Sequence, residues 1–210
     1  MIASLDPTLD AGSTRELILR SARCVFLSRG YAAASMDQIA AESGVARTTL
    51  YNQFGSKKTL FDATMTQMWD RMPITAVIAS TEAASSPEEA LYSIGHTIVE
   101  FWAPREAVAF LRLVMWESST FPELGQSFCD NGRDPARSAV TAYVRRLSNE
   151  PGYCINDVDL ATAQFIDVIL GEVVYGRLFA LSAGSLDESR CHYLVSEAVA
   201  LFLARYRLQA

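Results

Sequence analysis

Signals that start a helix recur along the whole chain, and they constrain its fold more than any other feature of the sequence. Ser13 stands three residues before Glu16, and Ser35 stands three residues before Gln38, which is the spacing of a helix capping box. Apolar residues follow these starts at intervals of three and four, as on one face of a helix. The alternation of apolar and polar residues that indicates strands is nearly absent. The sequence therefore predicts an all-α fold with about nine helices and no internal repeat.

Glycine, serine and proline mark the predicted ends of these helices. The first helix closes at Gly30, and a short third helix covers residues 47–53. The fourth starts after Ser56 and runs to the late seventies. The longest predicted helix spans about 157–182, and the last one ends near residue 207.

Charge is distributed unevenly between the two ends of the chain. The net charge of the 210 residues is −6, which by itself argues against a nucleic-acid partner. Residues 1–60, however, carry seven basic and five acidic side chains, a net charge of +2, whereas residues 61–210 carry 11 basic and 19 acidic side chains, a net charge of −8. Only the first segment is suited to approach a polyanion such as DNA.

Residues 36–53 have the spacing of a helix-turn-helix. Ala40 is small where two helices would cross, Gly44 follows four residues later at the turn, and Leu50 supplies an apolar contact. The exposed side chains of the second helix would be hydroxyls, amides, one arginine and one tyrosine, with no acid among them. Amides and arginine read base edges, while hydroxyls and tyrosine hold phosphates. These candidate DNA-binding residues are Arg47, Thr48, Thr49, Tyr51, Asn52 and Gln53.

The two lysines of the chain, Lys57 and Lys58, are adjacent and lie in the first turn of the predicted fourth helix. A cation there faces the positive end of the helix dipole, which costs about 0.3–1 kcal/mol at an exposed site. A phosphate bound jointly by the helix start and an ammonium group would account for this choice. The alternative is an ordinary solvated charge.

Residues 14–61 resemble the DNA-binding domain of the TetR family of one-component transcriptional regulators, above all in the run GVARTTLYNQFGSKKTLF at 44–61. The C-terminal half, around residues 112–114 and 117–128, is similar to the AefR-like subgroup. The resemblance implies a flexible arm at residues 1–12, a helix-turn-helix domain at 13–60 and a ligand-binding and dimerisation domain at 61–210.

The resemblance also implies a function and a set of contacts. The expected protein is a repressor that binds a palindromic operator in double-stranded DNA as a homodimer, and that a small, largely apolar effector releases. Ser35, Tyr51 and Lys57 would contact phosphates, with Lys58 beside them. The residues facing the major groove would be Arg47, Thr48, Thr49 and Asn52. The family often has histidine where this chain has Gln53, which cannot become cationic.

Bulky and polar residues within the middle helices are candidates for an effector pocket. Most such residues fill a core in any protein, so each could line a pocket or simply pack. Carboxylates in apolar stretches need partners when buried, and Arg112 or Arg177 could serve. The predicted pocket residues are Met65, Trp69, His96, Trp102, Phe110, Trp116, Glu117 and Phe165.

The segment 157–182 is apolar around most of its circumference, although it carries Asp167, Glu172 and Arg177. Three charges argue against a membrane span. A helix of this kind must be buried on several sides, which favours packing against a second copy of the chain. A purely intramolecular core helix is the alternative. The predicted dimer-interface residues are Gln164, Val168, Tyr175, Leu194, Ala198, Leu201 and Phe202.

Other classes of protein find little support in the sequence. The common nucleotide-binding, hydrolase and zinc-protease motifs are absent, and the chain has two histidines, so we expect neither an enzyme nor a cofactor. The four cysteines are at least 25 residues apart, which predicts no metal site. The start lacks the pattern of a secretory signal, which favours the cytoplasm. A helical carrier protein without DNA is the remaining alternative.

Overall fold

The computed structural model describes residues 13–81, 86–179 and 186–208. Over these ranges the secondary structure is helical, and a single antiparallel bridge pairs Tyr153 with Arg207. The all-α prediction is confirmed. The predicted arm at residues 1–12 and the end of the predicted helix 157–182 lie outside the described residues.

Twelve α-helical segments and two π-helical turns follow one another in the described part of the chain. Each π-helical turn joins two α-helical segments without a break in the helical backbone. In chain order the segments are α1 (Thr14–Ala33), α2 (Met36–Ser43), α3 (Arg47–Phe54), α4 (Lys57–Trp69), α5 (Ile74–Thr81), α6 (Pro87–Trp102), α7 (Arg105–Glu117), α8 (Pro122–Phe128), the π-turn Cys129–Arg133, α9 (Asp134–Leu147), α10 (Val158–Leu170), the π-turn Gly171–Tyr175, α11 (Gly176–Leu178) and α12 (Glu188–Tyr206).

Three helices begin with complete capping boxes, including the two predicted at Ser13 and Ser35. The side chains of Ser13, Ser35 and Ser86 each accept a hydrogen bond from the backbone N–H three residues later. In each case the glutamate or glutamine at that later position accepts a hydrogen bond from the backbone N–H of the serine. Each capping box thus satisfies two backbone donors that a helix start otherwise leaves free.

One predicted helix end is confirmed and another needs correction. The backbone of α1 leaves helical geometry at Gly30, where φ is 81°, as predicted, and helical residues resume up to Ala33. The fourth helix ends at Trp69 rather than in the late seventies. Pro73 lacks a backbone N–H and restricts the residue before it, so the chain turns there and restarts as α5.

Packing divides the chain into two compact units, the first ending at Gln67 and the second starting at Met68. The sequence placed this boundary after residue 60. Unit 1 is built on α1, α2, α3 and most of α4. Its core includes an aromatic cluster in which the ring centroids of Phe26, Tyr31 and Phe61 are 5.1–5.8 Å apart.

Unit 2 packs its helices around α6, in which Leu91, Ile94 and Ile98 are almost fully buried. Helix α6 contacts α5, α7, α10 and α12. Gly95 on α6 allows a close approach, because a Cβ atom there would lie 2.9 Å from the side chain of Val195. None of the helices in the described residues is long and apolar enough to cross a membrane.

Candidate nucleic-acid interface and ligand cavity

The helix-turn-helix of unit 1 is fixed by a left-handed glycine and a small apolar core. Gly44 has φ 68° and ends α2, as its position predicts. The N–H of Val45 donates to the carbonyl of Ala40 over 3.2 Å, which closes the turn. Ile39 and Leu50 are fully buried. The remaining faces of α3 are left to solvent.

The exposed face of α3 is polar and lacks acidic side chains. Arg47, Thr48, Asn52 and Gln53 are exposed, and Tyr51 is 38% exposed, while Thr49 is partly buried. The structure thus brings the six predicted side chains of α3 together on one short helix that carries no acid.

Arg47 is held in place at the start of this face. Its Nε lies 2.9 Å from Oδ1 of Asp37, and its guanidinium lies 5.3 Å from the centre of the Tyr51 ring. Both side chains of the ion pair are more than half exposed, so the pair contributes little to stability and can open for another anion. Asp37 is a partner of Arg47 that is absent from the residues predicted from sequence.

The start of α3 has no side-chain cap, because Ala46 occupies the N-cap position. The first backbone N–H groups of the helix therefore find no side-chain acceptor there. Such groups, together with the helix dipole, favour an anion such as a phosphate. The sequence signal of this feature is the lack of serine, threonine, aspartate or asparagine immediately before Arg47, and it is absent from the predicted DNA contacts.

Lys57 is bound to backbone carbonyls within unit 1, so its position at a helix start has a structural explanation. Its Nζ donates to the carbonyls of Tyr31, Ala32 and Ala34 over 2.8, 3.3 and 2.9 Å, and it lies 4.5 Å from the centre of the Tyr31 ring. An ammonium has three donors, so these carbonyls use all of them. The unfavourable position at the helix start is thus offset inside the protein, and a phosphate is not needed to explain it.

Lys58 and Ser35 also have partners within unit 1. Lys58 Nζ lies 2.6 Å from a carboxylate oxygen of Asp62, one turn along α4. Both groups are about one-third exposed. Ser35 caps α2 through its oxygen, which leaves its hydroxyl hydrogen able to donate elsewhere. Of the three predicted phosphate contacts at Ser35, Tyr51 and Lys57, the first two keep a free polar atom for the purpose.

A cavity of about 210 Å³ opens between α6, α9 and α10 of unit 2. It includes two of the predicted pocket residues, Trp69 and Trp102. Eight of its lining residues are apolar or aromatic, and three are charged. The lining consists of Trp69, Met72, Ile98, Trp102, Arg133, Ala136, Arg137, Val140, Ile166, Asp167 and Leu170.

The other predicted pocket residues do not line this cavity. Trp116 is 82% exposed, because α7 turns this position to solvent. Phe110 and Met65 are fully buried as packing residues, and Phe165 packs against Phe202 of α12 with ring centroids 5.7 Å apart. Glu117 is partly buried near the end of α7.

His96 lies in a separate cluster between α6 and α12. Its ring centroid is 5.1 Å from that of His192, and its Nδ1 is 3.4 Å from a carboxylate oxygen of Glu100. The Tyr92 hydroxyl hydrogen-bonds Nδ1 of His192. In the described residues no group of three or more ligating side chains is arranged to hold a metal ion.

A groove of about 260 Å³ between α10 and α12 contains most of the predicted dimer-interface residues. Val168 is 44% and Leu201 57% exposed, which is unusual for aliphatic side chains. Tyr175 is also exposed but lies outside the groove, as does Leu194. The groove is lined by Gln164, Phe165, Val168, Ala198, Leu201, Phe202, Arg205 and Tyr206.

The charges within segment 157–182 are paired differently from the sequence expectation. Nη2 of Arg190 on α12 donates to Oε1 of Glu172 over 2.8 Å. The partner of this carboxylate is thus Arg190 and not Arg112 or Arg177. Arg177 is buried and donates to the carbonyls of Trp102 and Ala103 over 2.8 and 2.7 Å. Burial lowers the pKa of its guanidinium. Arg177 thus satisfies carbonyls at the end of α6.

Comparison with known families agrees with this geometry over most of the chain. The family model described as "Bacterial regulatory proteins, tetR family" matches residues 18–64. The model "AefR-like transcriptional repressor, C-terminal domain" matches residues 89–208, which is more than half of the chain. The protein belongs to the TetR family. As a TetR-family member it is a DNA-binding transcriptional regulator and not an enzyme.

Solved structures of regulators share its fold. A regulator from Mesorhizobium loti MAFF303099 is 22% identical, with a TM-score of 0.78 over 93% of this chain and 97% of that one. The flavonoid-responsive regulator FrrA is 26% identical, with a TM-score of 0.71 over 95% and 100%. FadR from Bacillus subtilis, in complex with stearoyl-CoA, is 16% identical, with a TM-score of 0.70 over 90% and 97%. No curated protein sequence matches the chain.

Proposed function

We propose that this TetR-family regulator is a repressor that binds a palindromic operator as a homodimer and leaves it when a small effector occupies unit 2. The observation that carries the proposal is the acid-free polar face of α3 next to an uncapped helix start. The similarity of residues 89–208 to AefR-like repressors supports repression. Such a regulator acts where bacterial DNA lies, in the cytoplasm.

Base reading is assigned to the exposed amides, hydroxyls and arginine of α3. Asn52 and Gln53 can bond base edges in the major groove, Thr48 and Thr49 can contact thymine methyls or base edges, and Arg47 can leave Asp37 to bond guanine. Phosphates are assigned to Tyr51, Ser35 and the first N–H groups of α3. Lys58 adds positive charge nearby.

Dimerisation is assigned to the groove between α10 and α12. Exposed Val168 and Leu201 would be buried by the same surface of a second copy, as a two-fold interface requires. Tyr175, in the π-turn that continues α10, and Leu194 on α12 would extend the contact. Two copies of α3 would then reach half-sites about 34–36 Å apart, or a multiple of that distance.

The effector is assigned to the cavity lined by Trp69 and Trp102. Relatives of the same fold support a small-molecule signal, since FrrA is flavonoid-responsive and FadR was solved with stearoyl-CoA. Helix α4 contains Lys57 of unit 1 and ends at Trp69, which lines the cavity. An effector that prefers one position of Trp69 would bias the position of α4 and thereby DNA affinity.

The DNA assignment is tested on fragments captured by the protein from its own chromosome. Asn52→Ala and Thr48→Ala should relax preference at particular base pairs, at a cost of about 1–3 kcal/mol per bidentate contact. Asn149→Ala, which removes an exposed amide in unit 2, is the matched control and should leave binding unchanged. Unaltered sequence preference in both α3 variants, measured by competitive gel shift, would remove them from the reading surface.

A further inference from the structure

The effector cavity of unit 2 has one strongly aromatic wall. Trp69 is 8% exposed and stacks on Phe101 with ring centroids 4.7 Å apart. Trp102 meets the Trp69 ring edge-on, with the centroids 6.0 Å apart. Rings held in this way present flat, rigid faces, which favour stacking or edge-on contact with another aromatic ring.

The size of the cavity limits the ligand to a small molecule. Its volume is about 210 Å³. An apolar cavity of about 150 Å³ is sufficient for benzene, whereas drug-sized ligands need about 300–1,000 Å³. A ligand of one or two fused rings therefore fits this cavity without expansion.

Arg137 on α9 gives the cavity an uncommitted cation. Its side chain is partly buried, and it forms no hydrogen bond or ion pair with the residues that the structure describes. Arg133, one turn earlier, is exposed and donates from Nε to Asp134 over 2.8 Å. A partly buried guanidinium prefers a carboxylate, which accepts two parallel hydrogen bonds from it.

Asp167 on α10 is the acidic side chain of the lining. It forms no ion pair with Arg137 within the described ranges and is exposed, so water solvates its carboxylate. Its repulsion of an anionic ligand is screened, whereas the attraction of the partly buried Arg137 is screened less. Arg137 therefore makes the cavity favour a negatively charged ligand.

Trp69 adds hydrogen-bonding capacity that the protein does not use. Its Nε1 is buried and has no acceptor in the described part of the chain. The indole edge packs against Gly132 in the π-turn, where a Cβ atom would come within 2.0 Å of it. Buried N–H groups without acceptors are rare, and π-turns occur frequently at functional sites.

We propose that the ligand of this cavity is an aromatic carboxylate of one or two rings. Its ring lies against the wall formed by Trp69 and Trp102, and its carboxylate accepts hydrogen bonds from Arg137. The inference rests on the proposed function, because it names the chemical class of the effector for the same cavity.

Three probes of one shape and different charge test the class directly. They are 2-naphthoate, neutral 2-naphthalenemethanol and cationic 2-naphthylmethylammonium, each titrated into the full-length protein by calorimetry in the absence of DNA. We expect 2-naphthoate to bind at least tenfold more tightly than the other two. Tighter binding of the cationic probe, or no binding of any probe, would overturn the proposal.

Variants that remove the positive charge of Arg137 or the negative charge of Asp167 test which residue binds the carboxylate. Arg137→Gln should weaken 2-naphthoate binding by about 10- to 100-fold, and Arg137→Lys should restore part of the loss. Asp167→Asn should tighten binding by about two- to threefold. Arg145→Gln, an exposed arginine on the same helix, is the matched control. Circular dichroism verifies that each variant is folded, and unchanged affinity in folded Arg137→Gln contradicts the assignment.

A parallel gel shift separates this inference from the proposed function. If 2-naphthoate binds in an Arg137-dependent way but leaves the DNA complex intact, the ligand class is upheld. The proposal that a ligand in this cavity releases DNA would then be wrong. Release of DNA by the cationic probe upholds effector control and overturns the ligand class. Release by 2-naphthoate that Arg137→Gln abolishes supports both.

Discussion

Lys57 links the end of α1 to the start of α4 through its ammonium group. It lies in the first turn of α4, where the helix dipole disfavours a cation, and its ammonium binds the carbonyls of Tyr31, Ala32 and Ala34 after α1 leaves regular helical geometry. The end of a helix leaves backbone carbonyls that need donors from elsewhere in the protein. Lys57 therefore connects the end of α1 to the start of α4.

Removal of this ammonium should destabilise unit 1. We expect Lys57→Ala to lower the free energy of unfolding by about 1–3 kcal/mol, because three charge-assisted hydrogen bonds are lost. Lys58→Ala, which removes a partly exposed ion pair with Asp62, should cost less than about 0.5 kcal/mol. Urea unfolding followed by circular dichroism measures both, and equal losses would contradict the structural role of Lys57.

The four free cysteines should differ in reactivity. Burial raises the pKa of the Cys191 thiol, so less of the nucleophilic thiolate is present near neutral pH. Cys24 and Cys154 are exposed. With iodoacetamide at pH 8, mass spectrometry should find these two alkylated at least tenfold faster than Cys191 in the folded protein. Comparable rates would show that Cys191 is not protected.

At the scale of helices, the sequence predicts where several helices start but not where π-turns interrupt them. Ser13, Ser35 and Ser86 determine their helix starts through bonds to residues three positions away, so the sequence contains the whole interaction. The π-turn at Cys129–Arg133 has no side-chain cap to mark it. It accompanies the close contact of Gly132 with Trp69, which is distant in sequence. Tertiary packing thus sets what local pattern does not specify.

The contact between Gly132 and Trp69 leads to a paired prediction. Gly132→Ala should destabilise unit 2 by about 1–3 kcal/mol, because its methyl group would overlap the indole and force the π-turn to move. Gly171→Ala in the other π-turn meets nothing within 4 Å, and it should be neutral or slightly stabilising. Thermal unfolding compares the two variants, and similar melting temperatures would contradict the close packing of Gly132.

For the whole molecule, the candidate DNA interface was far easier to predict than the cavity. The polar face of α3 comes from eight consecutive residues, so helical periodicity sufficed to assemble it. The cavity draws on four separate segments, and Arg133 and Arg137 were missed because sequence does not specify which helices meet. Trp116 was misplaced for the same reason. The apolar segment 157–182 predicts a dimer contact, and five of the seven residues assigned to it lie in the groove between α10 and α12.

This groove leads to a prediction about assembly. Leu201→Glu should convert the proposed dimer to a monomer, because a carboxylate would be buried at the two-fold contact. Met115→Glu, at a residue of nearly equal exposure on α7, should leave the mass unchanged. Sedimentation equilibrium distinguishes the outcomes. A Leu201→Glu protein with the mass of the wild type would place the dimer contact elsewhere.

Hydroxyl-radical footprinting on a chromosomal fragment captured by the protein tests the central claim most directly. It reports both the recognition of bases by α3 and the pairing of two copies of the protein. We predict two protected stretches related by a two-fold axis, with centres about 34–36 Å apart or a multiple of that distance. Both should require a higher protein concentration in Asn52→Ala, by the cost of one lost base contact. Both should disappear in Leu201→Glu at the concentration that saturates the wild-type site. A single protected stretch that survives in Leu201→Glu, or protection that ignores Asn52→Ala, would contradict the account.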